Sequence, residues 1–496
     1  MGVTILDQII FVVFILGVVA YGCSFYFKSR STDNFTKGGQ SMPSWVVGMS
    51  IFATFVSSIS FLGLPGQAYE SNWNPFVFSL SIPLATVLAA WLFVPLYRSM
   101  NSASAYNYLE VRFGYWARAY AAICYLLTQI ARTGSILFLM ALPMNYMLGW
   151  SIPTIIIVTG VCVLVYSAMG GIKAVIYTDT VMGIILIVGA VACAAVLMFT
   201  MPEGPKQLFE IAADHDKFSL GSFDWSWSQP TFWMILIYGT FINLQNYGID
   251  QNYVQRYLTT SSVKEARNST LFGGLLYVPV SLLFVFIGTA LFSYYTAQPE
   301  LLPEGIAGDR VFPYFIINGL PQGITGLLIA AIFAAGMSTV STSVNSSATV
   351  VLTDFVNRLA PKGITEKRNM KVLYLTSAIL GVLGVLVGLA MIRVQGVLDA
   401  WWKLSSIFSG GMLGLFLLGF IVKKARNPQA ITGVIIGIII IAWMSLSPMI
   451  PQESGWGFIR SNFHLNLTIV FGTTAIFLVG FLLTLFARPK KEPQTN

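Results

Sequence analysis

The chain has 496 residues, of which 56% are hydrophobic and only 10% are charged, and its net charge is +8. Soluble domains carry about 25% charged residues, so the composition excludes an ordinary soluble protein. Its apolar runs continue for about 20 residues without the alternation of barrel strands, which predicts an all-α polytopic membrane protein.

Thirteen transmembrane helices are predicted along the chain, and each is long enough to cross the hydrocarbon core of a bilayer. The first starts near the N-terminus without a preceding Lys or Arg and is too long for a cleaved signal segment. The predicted spans cover residues 8–27, 46–65, 75–97, 119–147, 151–169, 177–201, 233–251, 271–294, 323–353, 372–392, 400–422, 428–449 and 465–487.

The placement of basic residues predicts the orientation of these spans. With the N-terminus outside and the C-terminus inside, most of the 28 Lys and Arg residues fall in cytoplasmic segments. This is the bias that membrane proteins show, so the positive net charge reports topology and no nucleic-acid partner is expected. The basic residues expected on the outside are Lys206, Lys217, Arg310, Arg393 and Arg460.

Residue types that carry enzymatic chemistry are scarce in this chain. The four cysteines are isolated within apolar spans, and the two histidines, His215 and His464, fall in external loops. This pattern argues against a disulfide framework, a histidine metal site and a His-based catalytic triad. Walker A, HExxH, GxSxG and GxGxxG motifs are also missing from the sequence, so we expect neither an enzyme nor an ATP-driven pump.

Two predicted spans contain residues that interrupt helices. The second span carries a serine run and then a Gly-Leu-Pro-Gly segment between Ser57 and Gly66, and the seventh carries polar residues from Asn243 to Gly248. Both look breakable, and unwound backbone is tolerated at membrane depth only where it lines a cavity. The alternative is ordinary polar contact between helices together with a proline near a helix end.

Arg132 lies near the middle of the fourth span, within the apolar stretch from Ala121 to Leu148. A guanidinium at this depth costs about 2.5–3.5 kcal/mol on insertion scales and stays charged. We therefore expect Arg132 to face a polar cavity and an anionic group, which makes it the main indication of what the chain binds. The alternative is a salt bridge or a carbonyl clamp between helices.

The ninth span places small and hydroxyl side chains on one helical face, at positions 335, 338, 339, 342, 345 and 346. Such a stripe either mediates close packing and hydrogen bonding between membrane helices or forms a site for a hard cation opposite the carbonyl groups of an unwound helix. Asp179, near the start of the sixth span, favours the cation site, although it could also cap a helix. Asp250 and Arg256 are expected to form a structural ion pair.

Taken together, these features resemble the sodium/solute symporter family and are closest in motif to the bacterial sodium/sialic acid symporters. The resemblance covers nearly the whole chain. It implies a LeuT-like core of five plus five inverted-repeat spans over residues 46–422, an extra span and loop over 1–45, and two further spans with a short basic tail over 423–496. The matching runs are Ser104–Phe113, Gly170–Asp179, Gln255–Tyr257 and the serine-rich ninth span.

The resemblance also implies two sodium sites. The main site of the family uses carbonyls of the broken helix and hydroxyls of the serine-rich helix, and a second site occurs in its sialic acid transporters. One or two sodium ions (Na+) are therefore expected as cofactors. The first set falls on Ala53, Val56, Ala335, Ser338 and Thr339, and the second on Asp179, Ser341 and Thr342 with Ser338 shared.

For the solute, Arg132 matches the arginine that holds the sugar carboxylate in the sialic acid branch, and Ser57 and Ser60 match hydroxyls that assist it. Phe55 and Ser79 also fall at substrate positions, but there the sialic acid transporters have a threonine and a glutamine, and Pro75 replaces a phenylalanine. These departures bear on which sugar is bound, whereas an anionic group on the solute is still expected.

The resulting expectation is a sodium-coupled secondary symporter in a cell membrane, expected to be the cytoplasmic membrane of a bacterium. It would import a small acidic sugar such as sialic acid by alternating access. Its partners would be the solute, sodium ions and the lipid bilayer. The alternative is a symporter for a neutral sugar or a monocarboxylate in which Arg132 is structural. A channel is disfavoured because the sequence contains no repeated selectivity-filter loop. A sensor is disfavoured because the C-terminal tail is too short for a cytoplasmic signalling domain.

Overall fold

The computed structural model describes residues 3–100, 102–306, 308–360, 364–393, 410–453 and 455–487, and these ranges contain helices and no strand. The helices used below are α1 (Ile5–Cys23), α2 (Ser44–Phe55), α3 (Ser58–Glu70), α4 (Asn74–Met100), α5 (Tyr115–Leu148), α6 (Ile152–Phe199), α7 (Phe232–Ile249), α8 (Gln251–Tyr257), α9 (Val263–Ala297), α10 (Ile324–Leu359), α11 (Glu366–Met391), α12 (Gly410–Ile421), α13 (Asn427–Met449) and α14 (Leu465–Phe486). Shorter helices cover Thr32–Lys37, Asn107–Phe113, Pro205–Asp214 and Gly308–Asn318.

The thirteen predicted spans each coincide with a helix or with part of one. Nine of the described helices are long and apolar enough to cross a membrane, and the bent pair α2–α3 makes a tenth crossing. The long α6 contains both the fifth and the sixth span, and its backbone breaks between them at Gly171. The seventh span is α7, and α12 is the described part of the eleventh. The start of the eleventh span, at residue 400, and the basic tail from residue 488 lie outside the described residues.

Two helices break where the inverted-repeat architecture places the first span of each repeat. The second span bends by 54° between α2 and α3. The seventh span ends at Ile249, and the extended backbone of Asp250 leads into α8. The polar run that we expected to unwind, Asn243 to Gly248, stays helical, so this break lies further along the chain than its composition suggested.

Contacts between the loops agree with the predicted orientation. On the cytoplasmic side, Arg98 donates to the carbonyl oxygens of Leu258 and Thr260. On the external side, the backbone N–H of Trp73 donates to the Ser219 carbonyl. Segments that the charge distribution assigns to one side of the membrane therefore meet one another at that end of the helical bundle.

Helix α10 forms the centre of the bundle. In its most apolar stretch 89% of the residues are buried, against 28% in α1 and in α11. It packs against α6, α5 and α1 and also reaches α2, α3 and α8. The serine-rich helix is therefore surrounded by protein, whereas α1 and α11 expose much of their apolar surface at the periphery.

Candidate functional site

The break between α2 and α3 frees backbone groups in the middle of the molecule. Val56 is extended, and the Ser57 hydroxyl caps α3 by accepting the backbone N–H of Ser60 at 3.3 Å. The carbonyls of the last turn of α2 have no following turn to bond, because a helix leaves its last four carbonyls without internal partners. Ala53 belongs to this turn, and its carbonyl oxygen lies 3.5 Å from the Ser338 hydroxyl on α10.

Part of the first predicted sodium set meets at this break. The Ala53 carbonyl of α2 lies near the Ser338 hydroxyl of α10, Val56 follows Ala53 at the break, and Thr339 is buried next to Ser338. The Thr339 hydroxyl bonds back to the Ala335 carbonyl at 3.1 Å. Neutral oxygen atoms from two helices suit a hard monovalent cation, so the chemistry of these donors fits sodium.

The second predicted set surrounds a buried ion pair. Asp179 Oδ2 accepts a 2.7 Å hydrogen bond from Arg256 Nη2, and both side chains are fully buried. The same Nη2 donates to the Thr342 hydroxyl at 2.7 Å, while the Ser338 hydroxyl donates to Asp179 Oδ1. The Ser341 hydroxyl is turned to the Ser338 carbonyl. The four residues are adjacent, but a guanidinium already neutralises their only carboxylate.

The expected ion pair of Asp250 with Arg256 and the alternative role of Asp179 as a helix cap are both wrong. Arg256 pairs with Asp179 and not with Asp250, because Asp250 lies at the hinge and its carboxylate caps α8 through the backbone N–H of Asn252. Asp179 does not cap a helix start, since α6 resumes directly after Gly171 and Asp179 lies two turns further on. Its carboxylate instead faces α10 and accepts from Ser50 of α2.

Arg132 lies halfway along α5 and is partly buried. It forms no hydrogen bond or ion pair with any residue of the described ranges, so the alternative of a salt bridge or a carbonyl clamp between helices has no counterpart there. Its electrostatic neighbours are the carboxylate of Asp250 and the side chains of Tyr125 and Tyr253. The guanidinium therefore keeps its hydrogen-bond donors available beside a helix break.

Aromatic side chains connect Arg132 to the predicted substrate residues. Phe55 stacks on Tyr247 with ring centroids 5.5 Å apart, and it meets Tyr277 edge-on at 4.4 Å and Tyr253 at 6.4 Å. Sequence reasoning missed these three tyrosines. The two that flank Asp250 could have been found from their position on either side of the second break.

The predicted substrate hydroxyls lie on the opposite side of this aromatic group. The hydroxyls of Ser57 and Ser60 are 3.3 Å apart, and Ser60 is a hydrogen-bond neighbour of Tyr277. Ser79 is buried and hydrogen-bonded to Ser281 at 2.7 Å, and Ser281 also neighbours Tyr277. We call Phe55, Tyr247, Tyr253 and Tyr277 the aromatic box. It lies between Arg132 and the serine hydroxyls.

Comparisons with known proteins identify the family and the fold of the chain. The family model described as "Sodium:solute symporter family" matches residues 35–437. The chain is 32% identical to the sodium/sialic acid symporter NanT of Aliivibrio fischeri over 96% of this chain and 92% of that protein, and 33% identical to the sodium/sialic acid symporter SiaT of Proteus mirabilis over 86% and 87%. A solved structure of a Na+-coupled sialic acid symporter in a substrate-bound, outward-open state superposes with a TM-score of 0.88 at 29% identity, covering 98% of this chain and 99% of that one. The chain belongs to the sodium:solute symporter family and is a sodium-coupled membrane transporter rather than an enzyme.

Proposed function

We propose that the chain imports a small acidic solute of the sialic acid type together with sodium, by alternating access across the cytoplasmic membrane of a bacterium. The observation that carries this proposal is Arg132, a cation at mid-membrane depth without a hydrogen-bonding partner among the described residues. An intramembrane charge of this kind marks a substrate pathway by default. The two bacterial relatives are sodium/sialic acid symporters, which supports the same function.

In this proposal Arg132 binds the carboxylate of the solute. A planar guanidinium can donate two parallel hydrogen bonds to one carboxylate, which fixes orientation as well as affinity. The hydroxyls of Ser57 and Ser60 then lie across the aromatic box from Arg132 and can bond the polar groups of a sugar. Phe55 and Tyr277 supply ring faces against the less polar face of that sugar.

Sodium is assigned to the first set of residues, where carbonyl groups of α2 and hydroxyl groups of α10 converge. A cation held there ties the broken helix to the central helix and so orders the adjacent Ser57 and Ser60. The second set accepts a further sodium ion only when the Arg256 guanidinium withdraws from Asp179 and Thr342. We therefore propose one sodium at the first set and a second whose entry depends on Arg256.

A second candidate function is symport of a neutral sugar or a monocarboxylate. The observation in its favour is the attraction between Arg132 and Asp250, which could hold the guanidinium in a structural role. The two functions differ in whether the loss of Arg132 removes binding of an acidic sugar.

The test is the thermal stability of the purified protein with sodium or potassium across a panel of sialic acids, hexuronates, short monocarboxylates and neutral hexoses. We expect a sodium-dependent stabilisation by an acidic sugar. Replacing Arg132 by Ala should weaken that binding by about 2–5 kcal/mol, because a partly desolvated charge pair is lost. The matched control is Arg310→Ala, which removes an exposed arginine of an external segment.

Stabilisation by neutral hexoses alone, or an acidic-sugar effect that survives Arg132→Ala in a folded protein, would contradict the assignment of Arg132 to the solute. Stabilisation by acidic sugars that is the same in sodium and potassium would contradict the sodium site at Ser338 and Thr339.

A further inference from the structure

One face of α5 carries polar side chains from the proposed solute site to the cytoplasmic end. Arg132, Gln129, Tyr125 and Arg118 follow one another at spacings of three, four and seven residues, which places them on one side of the helix. Arg118 and Arg132 are fourteen positions apart in the helix, which corresponds to about 21 Å at 1.5 Å per residue. The face therefore reaches from the middle of the membrane to its cytoplasmic edge.

Side chains of α8 and α10 complete this face. Gln129 Oε1 accepts hydrogen bonds from the Ser343 hydroxyl at 2.7 Å and from Asn252 Nδ2 at 3.2 Å. The Tyr125 hydroxyl donates to Asn252 Oδ1 at 2.8 Å. Ser347 lies one turn below Ser343 and lines the same small gap between α5 and α10. We call Gln129, Tyr125, Asn252, Ser343 and Ser347 the polar column.

Part of the polar column lacks hydrogen-bond partners. Gln129 Nε2 is buried, and no hydrogen-bond partner for it lies within the described ranges. The buried Ser347 hydroxyl forms no well-aligned hydrogen bond there, and the polar side chain beside it is Tyr125. The same holds for the Ser346 hydroxyl on the same helix. Leaving a buried donor unsatisfied is costly and uncommon in folded proteins, so a cluster of such donors requires an explanation. Donors that serve a passing polar solute are one explanation.

A buried ion pair closes the cytoplasmic end of the column. Arg118 Nε donates to Asp354 Oδ1 at 2.7 Å, and Arg118 Nη1 donates to Glu110 at 2.7 Å. The Ser104 hydroxyl donates to the other oxygen of Asp354 at 2.6 Å. Beyond this pair lies a cavity of about 570 Å³ that Arg118 and Thr353 help to line. Arg118 thus separates the column from an open cytoplasmic space.

The helix that carries Asp354 is irregular at this point. Residues Val351–Val356 of α10 form a π-helical segment, whereas the preceding turns are α-helical. Segments of this type are uncommon and recur at functional sites. A change of this segment toward regular α-helix would rotate Asp354 relative to Ser347 and α5. The pair therefore lies on an irregular part of the helix.

We propose that the polar column is the route by which the solute leaves toward the cytoplasm, and that the Arg118–Asp354 ion pair is the gate at its end. The inference rests on the proposed function, because buried donors with a guanidinium at each end suit an acidic, hydroxylated solute. The gate opens when Arg118 and Asp354 separate, and the column then becomes continuous with the cytoplasmic cavity.

The test is chemical labelling at the column in the full-length protein. Ser347→Cys is introduced after the native cysteines Cys23, Cys124, Cys162 and Cys193 have been replaced by alanine. A membrane-impermeant thiol reagent is applied to the cytoplasmic face of inside-out vesicles in sodium without solute. We expect Asp354→Asn to raise the labelling rate about tenfold by shifting the population toward the open gate.

Two controls separate gate opening from general loosening. Residue 348 lies beside Ser347 at the same depth, but Ala348 packs in the apolar cluster that contains Phe35 and not on the polar column, so the labelling of Ala348→Cys should stay low. Asp33→Asn removes an exposed carboxylate at the same cavity and should leave the labelling of Ser347→Cys unchanged. Ser104→Ala is the milder gate variant, to be used where Asp354→Asn lowers the yield of folded protein.

An unchanged labelling rate in the folded gate variants overturns the proposal, and so does equal labelling at residues 347 and 348. Because the labelling needs no solute, it is independent of the solute-binding test. Stabilisation by an acidic sugar without a labelling response refutes the gate alone. A labelling response without stabilisation by any acidic sugar refutes the proposed function and leaves the gate.

Discussion

At the scale of single residues, charges buried in the helical bundle have two different environments. Arg256 is fully buried, and its guanidinium is shared between Asp179, Ser50 and Thr342. Arg132 is partly buried and forms no hydrogen bond with the described residues. A buried charge that is paired within the protein connects helices, whereas a charge without a partner is available to bind a ligand. Arg132 is therefore the residue to test for solute binding, and Arg256 the residue to test for stability and sodium entry.

The sequence could predict the environment of Arg132 but not that of Arg256. An arginine in the middle of an apolar run is visible without a structure, because its neighbours in the chain define its depth. The partner of Arg256 is not visible, because Asp179 is 77 residues away. The nearer carboxylate, Asp250, was a misleading candidate because the break between α7 and α8 turns it away from Arg256.

We predict that Arg256→Gln destabilises the protein by about 3–5 kcal/mol, because it leaves the Asp179 carboxylate buried without a counter-ion. The double variant Asp179→Asn with Arg256→Gln should regain much of that loss, since both charges are then absent. In the single variant sodium should stabilise the protein more than in the wild type, because sodium becomes the only available counter-ion for Asp179. Thermal unfolding in sodium and in potassium measures these effects.

The control for this prediction is Arg98→Gln, since Arg98 donates to carbonyl oxygens and forms no ion pair within the described ranges. It should cost less stability and show no added sodium effect. A single Arg256 variant as stable as the double variant, or one whose sodium response matches the wild type, would show that Asp179 does not depend on Arg256.

At the scale of elements, the positions of the helix breaks determine which residues meet. A break in the second span was predicted, and it lies at Val56 and Ser57 where the serine run begins, but the Gly-Leu-Pro-Gly segment that was also expected to weaken the helix stays helical within α3. The break at Asp250 was placed too early, because the polar residues from Asn243 to Gly248 pack within the bundle and stay helical. Composition indicates that a helix can break, whereas tertiary packing decides at which residue it does.

Gly171 is the break whose energetic cost can be measured most directly. Its φ of +58° and ψ of −157° belong to a region that is essentially restricted to glycine, and an added Cβ would lie 2.8 Å from the Phe35 ring. We predict that Gly171→Ala destabilises the protein by about 1–3 kcal/mol, because both the backbone and the contact with Phe35 are strained. The measurement is the thermal unfolding midpoint of the purified variant.

The matched control is Gly149→Asn at the end of α5. Gly149 has a φ of +69° and a ψ of 6°, and nothing lies within 4 Å of an added Cβ. Asparagine tolerates this left-handed conformation, so the stability should change little. Equal losses at the two positions would mean that the geometry of Gly171 does not set the cost.

At the scale of the whole molecule, α10 connects the proposed sodium set, the ion pair of Asp179 and the proposed cytoplasmic gate. The sequence indicated its importance through the hydroxyl stripe, and the thirteen spans and the orientation followed from hydropathy and charge. The aromatic box and the polar column could not be predicted, because they are assembled from three or more helices that are distant in the chain. Hydropathy reports how a helix meets lipid and contains no information about which helices meet each other.

This shared helix leads to a prediction about coupling. Sodium at the first set should order Ser57 and Ser60, so sodium should tighten solute binding, and the solute must then tighten sodium binding by the same factor. We expect a coupling of about 1–3 kcal/mol, which corresponds to about 5–150-fold in each affinity. Titrations of solute at several sodium concentrations, and of sodium with and without solute, measure the two factors.

Thr339→Ala should reduce both coupling factors together. The control is Ser293→Ala, since the Ser293 hydroxyl donates to the Leu208 carbonyl at the external end, and it should leave both factors unchanged. A solute affinity that does not depend on sodium would refute the coupling. The two proposed sites share the broken helix, so if both ligands order the same residues of that helix, binding of one must change the affinity for the other.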